Sequence, residues 1–201
     1  MKTILKNLSL MIAVLISLCS CNEIWQNPIS DVQDAKVDKR LIGTWVPIDH
    51  PDTPLLLISE YDQHSVYVVL FDGSCPSYFG GYISEVDGKT FANLRSYDCS
   101  KKEFSKYGIF EYEFNGENEM SFYIINDDFV NEAIRDKRLS GYKKEGGGLF
   151  GENIVVTATS PEIREFIKKS PEEKLFNRDE PATLKRFESP KATKRSICIL
   201  F

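Results

Sequence analysis

The stretch YGIFEYEFNGENEMSFYI, residues 107–124, decides the fold. Phe110, Tyr112 and Phe114 alternate with Glu111 and Glu113. The aromatic side chains therefore share one face of an extended strand and the acids share the other, wet one. Asn115-Gly116 follows as a turn, since both residue types tolerate the positive φ that tight hairpins need. Met120, Phe122 and Ile124 then resume the alternation. Strand, turn and strand with one apolar face make the repeating unit of an antiparallel sheet.

Upstream, the same unit recurs. Leu55–Ser59 and Ser65–Phe71 are β-branched and aromatic runs separated by a polar turn with Asp62 and His64. Phe79–Val86 and Thr90–Tyr97 flank Asp87-Gly88, the strongest short hairpin signal, which predicts a type I′ turn. Downstream the period changes. Asp128 predicts a helix start, with Val130, Ala133 and Ile134 on one face as far as Asp136. Leu139–Lys144 returns to extended chain, Gly146–Gly148 forms a flexible turn, and Asn153–Thr159 is a β-branched strand. Ser160-Pro161 predicts a second helix, with serine at the cap, proline at the first position and Ile163, Phe166 and Ile167 inward. Ser170-Pro171-Glu172-Glu173 repeats the start signal as a capping box. Thr183–Glu188 is a last strand after Pro181. The expected fold is mainly β: an up-and-down antiparallel meander that closes into a barrel, with two or three short helices in the C-terminal half. Closure removes the free edges of so many strands.

Leu41-Ile42-Gly43-Thr44-Trp45 opens this body. Gly43 lets another backbone approach closely, and Trp45 can plug the closed end of a small barrel. With the meander and the closing strand, Ser-Pro-capped helix and strand, the pair resembles the lipocalin-like small barrels over roughly residues 38–188. The resemblance implies a calyx for a small apolar molecule, with Tyr67, Tyr82, Phe110, Tyr112, Phe114 and Phe122 as candidate lining residues. Phe91 and Tyr123 belong to the same aromatic set. The alternative is a barrel filled by its own side chains. The helix near Asp128–Asp136 and the long ending depart from the family pattern.

The N-terminus carries an address. Lys2 and Lys6 precede an apolar run, Leu8–Leu18, of eleven residues. That suits a secretory signal and falls short of the roughly twenty residues that span a bilayer. Leu18-Cys19-Ser20-Cys21 then resembles a bacterial lipobox, with Cys19 at a place where a smaller residue is usual. The resemblance implies cleavage before Cys21, a diacylglyceryl group on its thiol and an acylated amine. Such multiple chains anchor stably, whereas one would not. An ordinary signal peptide or an uncleaved anchor is the competing reading. The expected organisation is a signal peptide at 1–20, a polar tether at 21–39, a barrel at 40–188 and a basic, disordered tail at 189–201. The lipobox implies a bacterial cell envelope location, with the outer membrane favoured over the inner. Cys198-Ile199-Leu200-Phe201 matches a prenylation ending, which conflicts with that location.

Charge and chemistry narrow the rest. Removing residues 1–20, with two lysines and no acid, takes the formal charge from −5 to −7. An acidic chain has no counterion-release advantage on phosphate backbones, so no nucleic acid partner is expected. The partners expected are the membrane, through its anchor, and a small apolar ligand or an envelope protein. Cys75 and Cys99 are candidates for a disulfide in an oxidising compartment, or else two unpaired thiols. Cys75 in Gly73-Ser74-Cys75-Pro76 has only His50 and His64 as conceivable bases, and no spacing supports an activated nucleophile. His50 with Asp49 and Asp52, or His64 with Asp62, match no zinc or calcium ligand spacing. No enzyme activity, cofactor or metal is expected.

Overall fold

The computed structural model describes residues 23–48, 56–71, 76–98, 102–145, 152–179 and 181–187. Eight strands form an antiparallel barrel: β2 (Gly43–Pro47), β3 (Leu56–Glu60), β4 (Ser65–Phe71), β5 (Pro76–Val86), β6 (Lys89–Asp98), β7 (Glu103–Phe114), β8 (Glu119–Ile124) and β11 (Ala182–Arg186). Each of β2 to β8 pairs with the next in sequence, and β11 lies between β8 and β2 to close the ring. The expected fold class is therefore present, a meander closed into a barrel with three helices in the C-terminal half. Those helices are α1 (Asp127–Arg135), α2 (Ser160–Lys169) and α3 (Glu172–Leu175). A three-strand flap extends from β7. It comprises β1 (Glu23–Trp25), β10 (Glu152–Val156) and β9 (Gly141–Glu145), joined to the barrel where Trp25 lies opposite Tyr107.

Alternation along the strands yields two hydrophobic clusters. Inside the barrel lie Trp45, Leu56, Ile58, Val66, Val68, Leu70, Ile83, Ala92, Tyr112, Met120 and Leu184. Outside it, Val86, Phe91, Ile109 and Tyr123 of the wall meet Val130 and Ala133 of α1, Ile163, Phe166 and Ile167 of α2, and Phe176. The helices thus cover one side of the barrel, and the flap contributes Trp25, Ile154 and Val156 to the same cluster.

The tether expected at 21–39 is corrected by this packing. From Glu23 on, the segment is part of the folded body: Trp25 and Ile29 are fully buried. The Gln26 amide donates to Val156 O at 3.0 Å, and Asn27 Nδ2 donates to Ala158 O at 3.0 Å. Its polar composition hides three well-spaced apolar anchors, Trp25, Ile29 and Ala35, all buried. After Ala35 the segment crosses one end of the barrel, where a single 3-10 turn, Lys39–Leu41, buries Leu41 beneath the rim.

Local signals hold in kind and shift in register. Asp87 and Gly88 both have positive φ, 54° and 77°, as a type I′ turn demands. Asn115 does not, and its amide instead donates to Glu119 O across a four-residue loop. Asn126, rather than Asp128, caps α1 by accepting from the Phe129 amide, which leaves Asp127 and Asp128 in the first turn where the helix dipole favours acids. Thr159 caps α2 in place of Ser160. The Glu162 carboxylate accepts from the Thr159 amide at 2.7 Å and from its hydroxyl at 2.8 Å. Ser170 starts no capping box. Its hydroxyl donates back to Phe166 O at 2.7 Å and so ends α2.

Candidate functional site

The barrel interior is lined almost wholly by apolar side chains, including Leu56, Val66, Phe79, Leu94, Phe110, Tyr112, Phe122 and Leu184. Its free space is about 80 Å³, far below the roughly 300–1,000 Å³ of small-molecule pockets. Three of the six expected lining residues, Phe110, Tyr112 and Phe122, border it. Phe114 is used up in packing, 6.0 Å from the Trp45 ring and 5.9 Å from that of Tyr112.

Tyr67 and Tyr82 are corrected to the outer face. On β4 it is Val66, Val68 and Leu70 that point inward, so Tyr67 faces out and stacks on Tyr78 at 6.1 Å. Tyr82 donates from its hydroxyl to Ser30 O at 2.7 Å, beneath the N-terminal segment. Burial holds its phenol well above the ordinary value. Apolar residues stand on both faces of these two strands, so alternation alone could not choose the inner one.

One end of the barrel is sealed by polar contacts around Trp45. Its Nε1 donates to Leu41 O at 2.7 Å, and the Arg186 guanidinium lies 4.4 Å from its ring while Nη1 donates to Ile42 O at 2.7 Å. Gly43 has φ 145°, and a Cβ there would meet Arg186 Nη1 at 2.6 Å. The backbone expected close to Gly43 is corrected to a side chain, the Arg186 guanidinium. At the same end the Tyr112 hydroxyl donates to Asp38 Oδ2 at 3.3 Å, and Arg40 pairs with Asp38 at 2.7 Å. Burial opposes charge on Asp38, yet the hydrogen bonds from Arg40 outweigh it and hold the carboxyl below its ordinary range. Above this seal lies an open groove of about 860 Å³ with Asp31, Asp34, Lys36, Glu85 and Arg164 on its walls. It mixes both signs of charge.

The wet face expected for β7 is corrected at Glu111 and holds at Glu113, which is exposed. Glu111 is 3% exposed, because Arg178, on the segment after α3, lies across it with Nη2 donating to Glu111 Oε1 at 2.6 Å. The same guanidinium pairs with Glu113 and Glu172 and sits 4.0 Å from the Tyr123 ring. Glu111 Oε2 has no hydrogen-bond partner among the described residues. Desolvation therefore dominates over the Arg178 contact and pushes the Glu111 carboxyl above 4.5. Glu111 faces packed side chains, whereas Glu113 stays exposed beside Arg178 and the Tyr123 hydroxyl.

The largest feature that sequence reading missed is a bare wall on β3 to β7. Leu57 lies opposite Val69, Val69 opposite Tyr78, and Tyr97 opposite Phe104. Leu57, Phe71, Tyr97 and Phe104 are all among the exposed large apolar residues. Tyr97 meets Phe104 edge-on at 5.2 Å. Arg95 lies over both Phe104 and Tyr107, at 5.3 and 5.2 Å, with Nε donating to Ser105 O at 2.7 Å. Phe104 rests on Gly80, where a Cβ would come within 3.0 Å of its ring. A bulge between Arg95 and Tyr97 in the β6–β7 pairing sets this register. No short motif encodes it.

Cys21, Cys75, Cys99, His50, Asp49, Asp52, the three glycines at 146–148 and the tail 189–201 lie outside the described residues. His64 is described, and its Nδ1 donates to Ala35 O at 2.8 Å, a structural bond. Among the described residues no group of three His, Cys, Asp or Glu could hold a metal ion, and no helix is long and apolar enough to cross a membrane. The fold thus defines an eight-stranded antiparallel barrel, consistent with the lipocalin-like form expected from the sequence. The chain matches no family model, no curated protein and no solved structure in comparison with known proteins.

Proposed function

We propose that the protein is a non-catalytic, membrane-anchored lipoprotein of the bacterial cell envelope, whose filled barrel is a scaffold and whose bare aromatic wall docks an envelope protein. The supporting observation is the contrast between an interior with about 80 Å³ free and an outer wall with Tyr97, Phe104, Phe71 and Leu57 exposed. Aromatic residues and arginine are the side chains enriched at the centres of protein interfaces. Here the rings are held by neighbours, so little rotamer freedom is lost on docking.

A second reading keeps a small apolar ligand in the barrel. What favours it is the unbroken apolar lining, with Phe79, Leu94, Phe122 and Ile124 half-buried away from the Trp45 seal. Native mass spectrometry of the mature protein from its own host's envelope, compared with its denatured mass, separates the two. Equal masses are expected. An adduct of a few hundred daltons beyond the acyl groups would favour the ligand. Cross-linked partners captured by the wild type should be lost from a Tyr97→Ser, Phe104→Ser variant, and unchanged capture would remove the wall as the docking site.

A further inference from the structure

We infer that the bare wall takes an acidic segment of its protein partner, one that brings a carboxylate to Arg95 and lays neighbouring apolar side chains on the aromatic rings. The inference rests on the docking reading of the wall and adds the chemistry of what docks there.

Arg95 is held as a fixed receptor. It stands on β6 opposite Gly80 of β5 and Tyr107 of β7. Its guanidinium carbon lies 5.3 Å from the Phe104 ring centre and 5.2 Å from that of Tyr107. Nε donates to Ser105 O at 2.7 Å, and Nη2 donates to Phe104 O at 3.2 Å. The Ser96 amide donates to Ser105 Oγ at 3.0 Å and fastens the bulge that carries those carbonyls. Two of the five guanidinium N–H groups are thereby used. The remaining ones, on Nη1 and Nη2, have no acceptor among the described residues. Arg40, Arg135, Arg138 and Arg178 each pair with a carboxylate, whereas Arg95 has only carbonyls and rings among the described residues. An arginine already braced in this way loses little freedom on taking up an anion, and a carboxylate is its two-pronged match.

The surroundings say that the anion comes from outside. Leu57, Tyr67, Val69, Phe71 and Tyr78 on the neighbouring strands are uncharged. From Arg95 to Lys106 the sequence has Arg95, Lys101, Lys102 and Lys106 against Asp98 and Glu103, a formal +2 in a chain of −5. An acidic segment is therefore drawn to this part of an otherwise acidic protein. Leu57 lies opposite Val69 and Val69 opposite Tyr78, while Tyr67 lies opposite Gly80 and Gly80 opposite Arg95. From β3 to β6 is three strand spacings, about 15 Å, the reach of about four or five extended residues. A segment laid across the strands thus sets an acid on Arg95 and apolar side chains on the rings within that distance. A net +2 exerts little pull on an anionic lipid surface, which favours a protein segment carrying both features.

The test measures binding of the mature protein, in neutral detergent, to a fluorescent random copolymer of glutamate and tyrosine. A copolymer of lysine and tyrosine is the reference probe. The acidic copolymer should bind about tenfold tighter or more, and added salt should weaken it several-fold. Arg95→Gln should lose about tenfold, and Arg95→Lys, which keeps the charge, should lose less. Lys168→Gln, the same change of charge on α2, should bind as the wild type does. Equal binding of the two copolymers, or Arg95→Gln indistinguishable from Lys168→Gln, overturns this inference. So does binding to phosphatidylglycerol vesicles without binding to the acidic copolymer. In those cases the docking reading still stands if Tyr97→Ser, Phe104→Ser loses the cross-linked partners. Unchanged capture by that variant overturns the docking reading and the inference with it.

Discussion

Replacing Asn93 with alanine tests whether residues 26–38 belong to the folded body. Asn93 is fully buried on the outer face of β6. Its Oδ1 accepts from the Ile29 amide at 2.9 Å, and its Nδ2 donates to Ser84 Oγ at 2.8 Å and to Tyr82 O at 3.3 Å. Ser84 in turn shares a hydrogen bond with Ser30 at 2.6 Å, so one side chain organises the crossing of the N-terminal segment. Asn93→Ala leaves the Ile29 N–H buried without an acceptor, at about 1–3 kcal/mol, and removes the bonds to Ser84 and Tyr82. The expected loss is about 2–4 kcal/mol in total. With a urea slope of about 2 kcal/mol per molar, the unfolding midpoint should fall by about 1–2 M. Hydrogen exchange at the Ile29 amide should accelerate well beyond that of the barrel strands, because the local contact is lost as well as global stability. A midpoint shift under about 0.3 M together with unchanged exchange at Ile29 would refute the reasoning.

Two further expectations follow from other parts of the fold. Burial holds Glu111 above its ordinary value of 4.5, so the folded state takes up that proton more readily than the unfolded chain. The wild type then gains stability as pH falls through that raised value towards 4.5 and loses it as pH rises again. Glu111→Gln lacks this component, so its stability relative to wild type should be most favourable at neutral pH and shrink on acidification. Urea titrations across that range would read it, and a pH-independent difference would contradict it. Cys75 and Cys99 directly adjoin the described residues Pro76 and Asp98, which lie at the same end of the antiparallel pair β5 and β6. A disulfide between them is expected to block both from thiol labelling in denatured, unreduced protein, and a free thiol at either removes the bridge.

The sequence by itself determined the repeating unit and hence the fold class. Period-two runs such as Ser65–Phe71, the Asp87-Gly88 turn and the Ser-Pro start of α2 are local matters, settled by φ preferences and by the geometry of neighbours. The inward set on β7 was legible too, because Phe110, Tyr112 and Phe114 alternate with charged residues. Tyr67 and Tyr82 were not, because their strands are apolar on both faces and only the opposing layer decides which face is inside. Burial of Glu111 depends on Arg178, sixty-seven residues away, coming to lie across it. The size of the cavity depends on how summed side-chain volumes fill a ring of fixed strand number, a quantity no local pattern carries. The fate of residues 23–39 was likewise a tertiary matter. Trp25, Ile29 and Ala35 are too sparse to show a period, and only a wall with room for them turns a polar stretch into a strap.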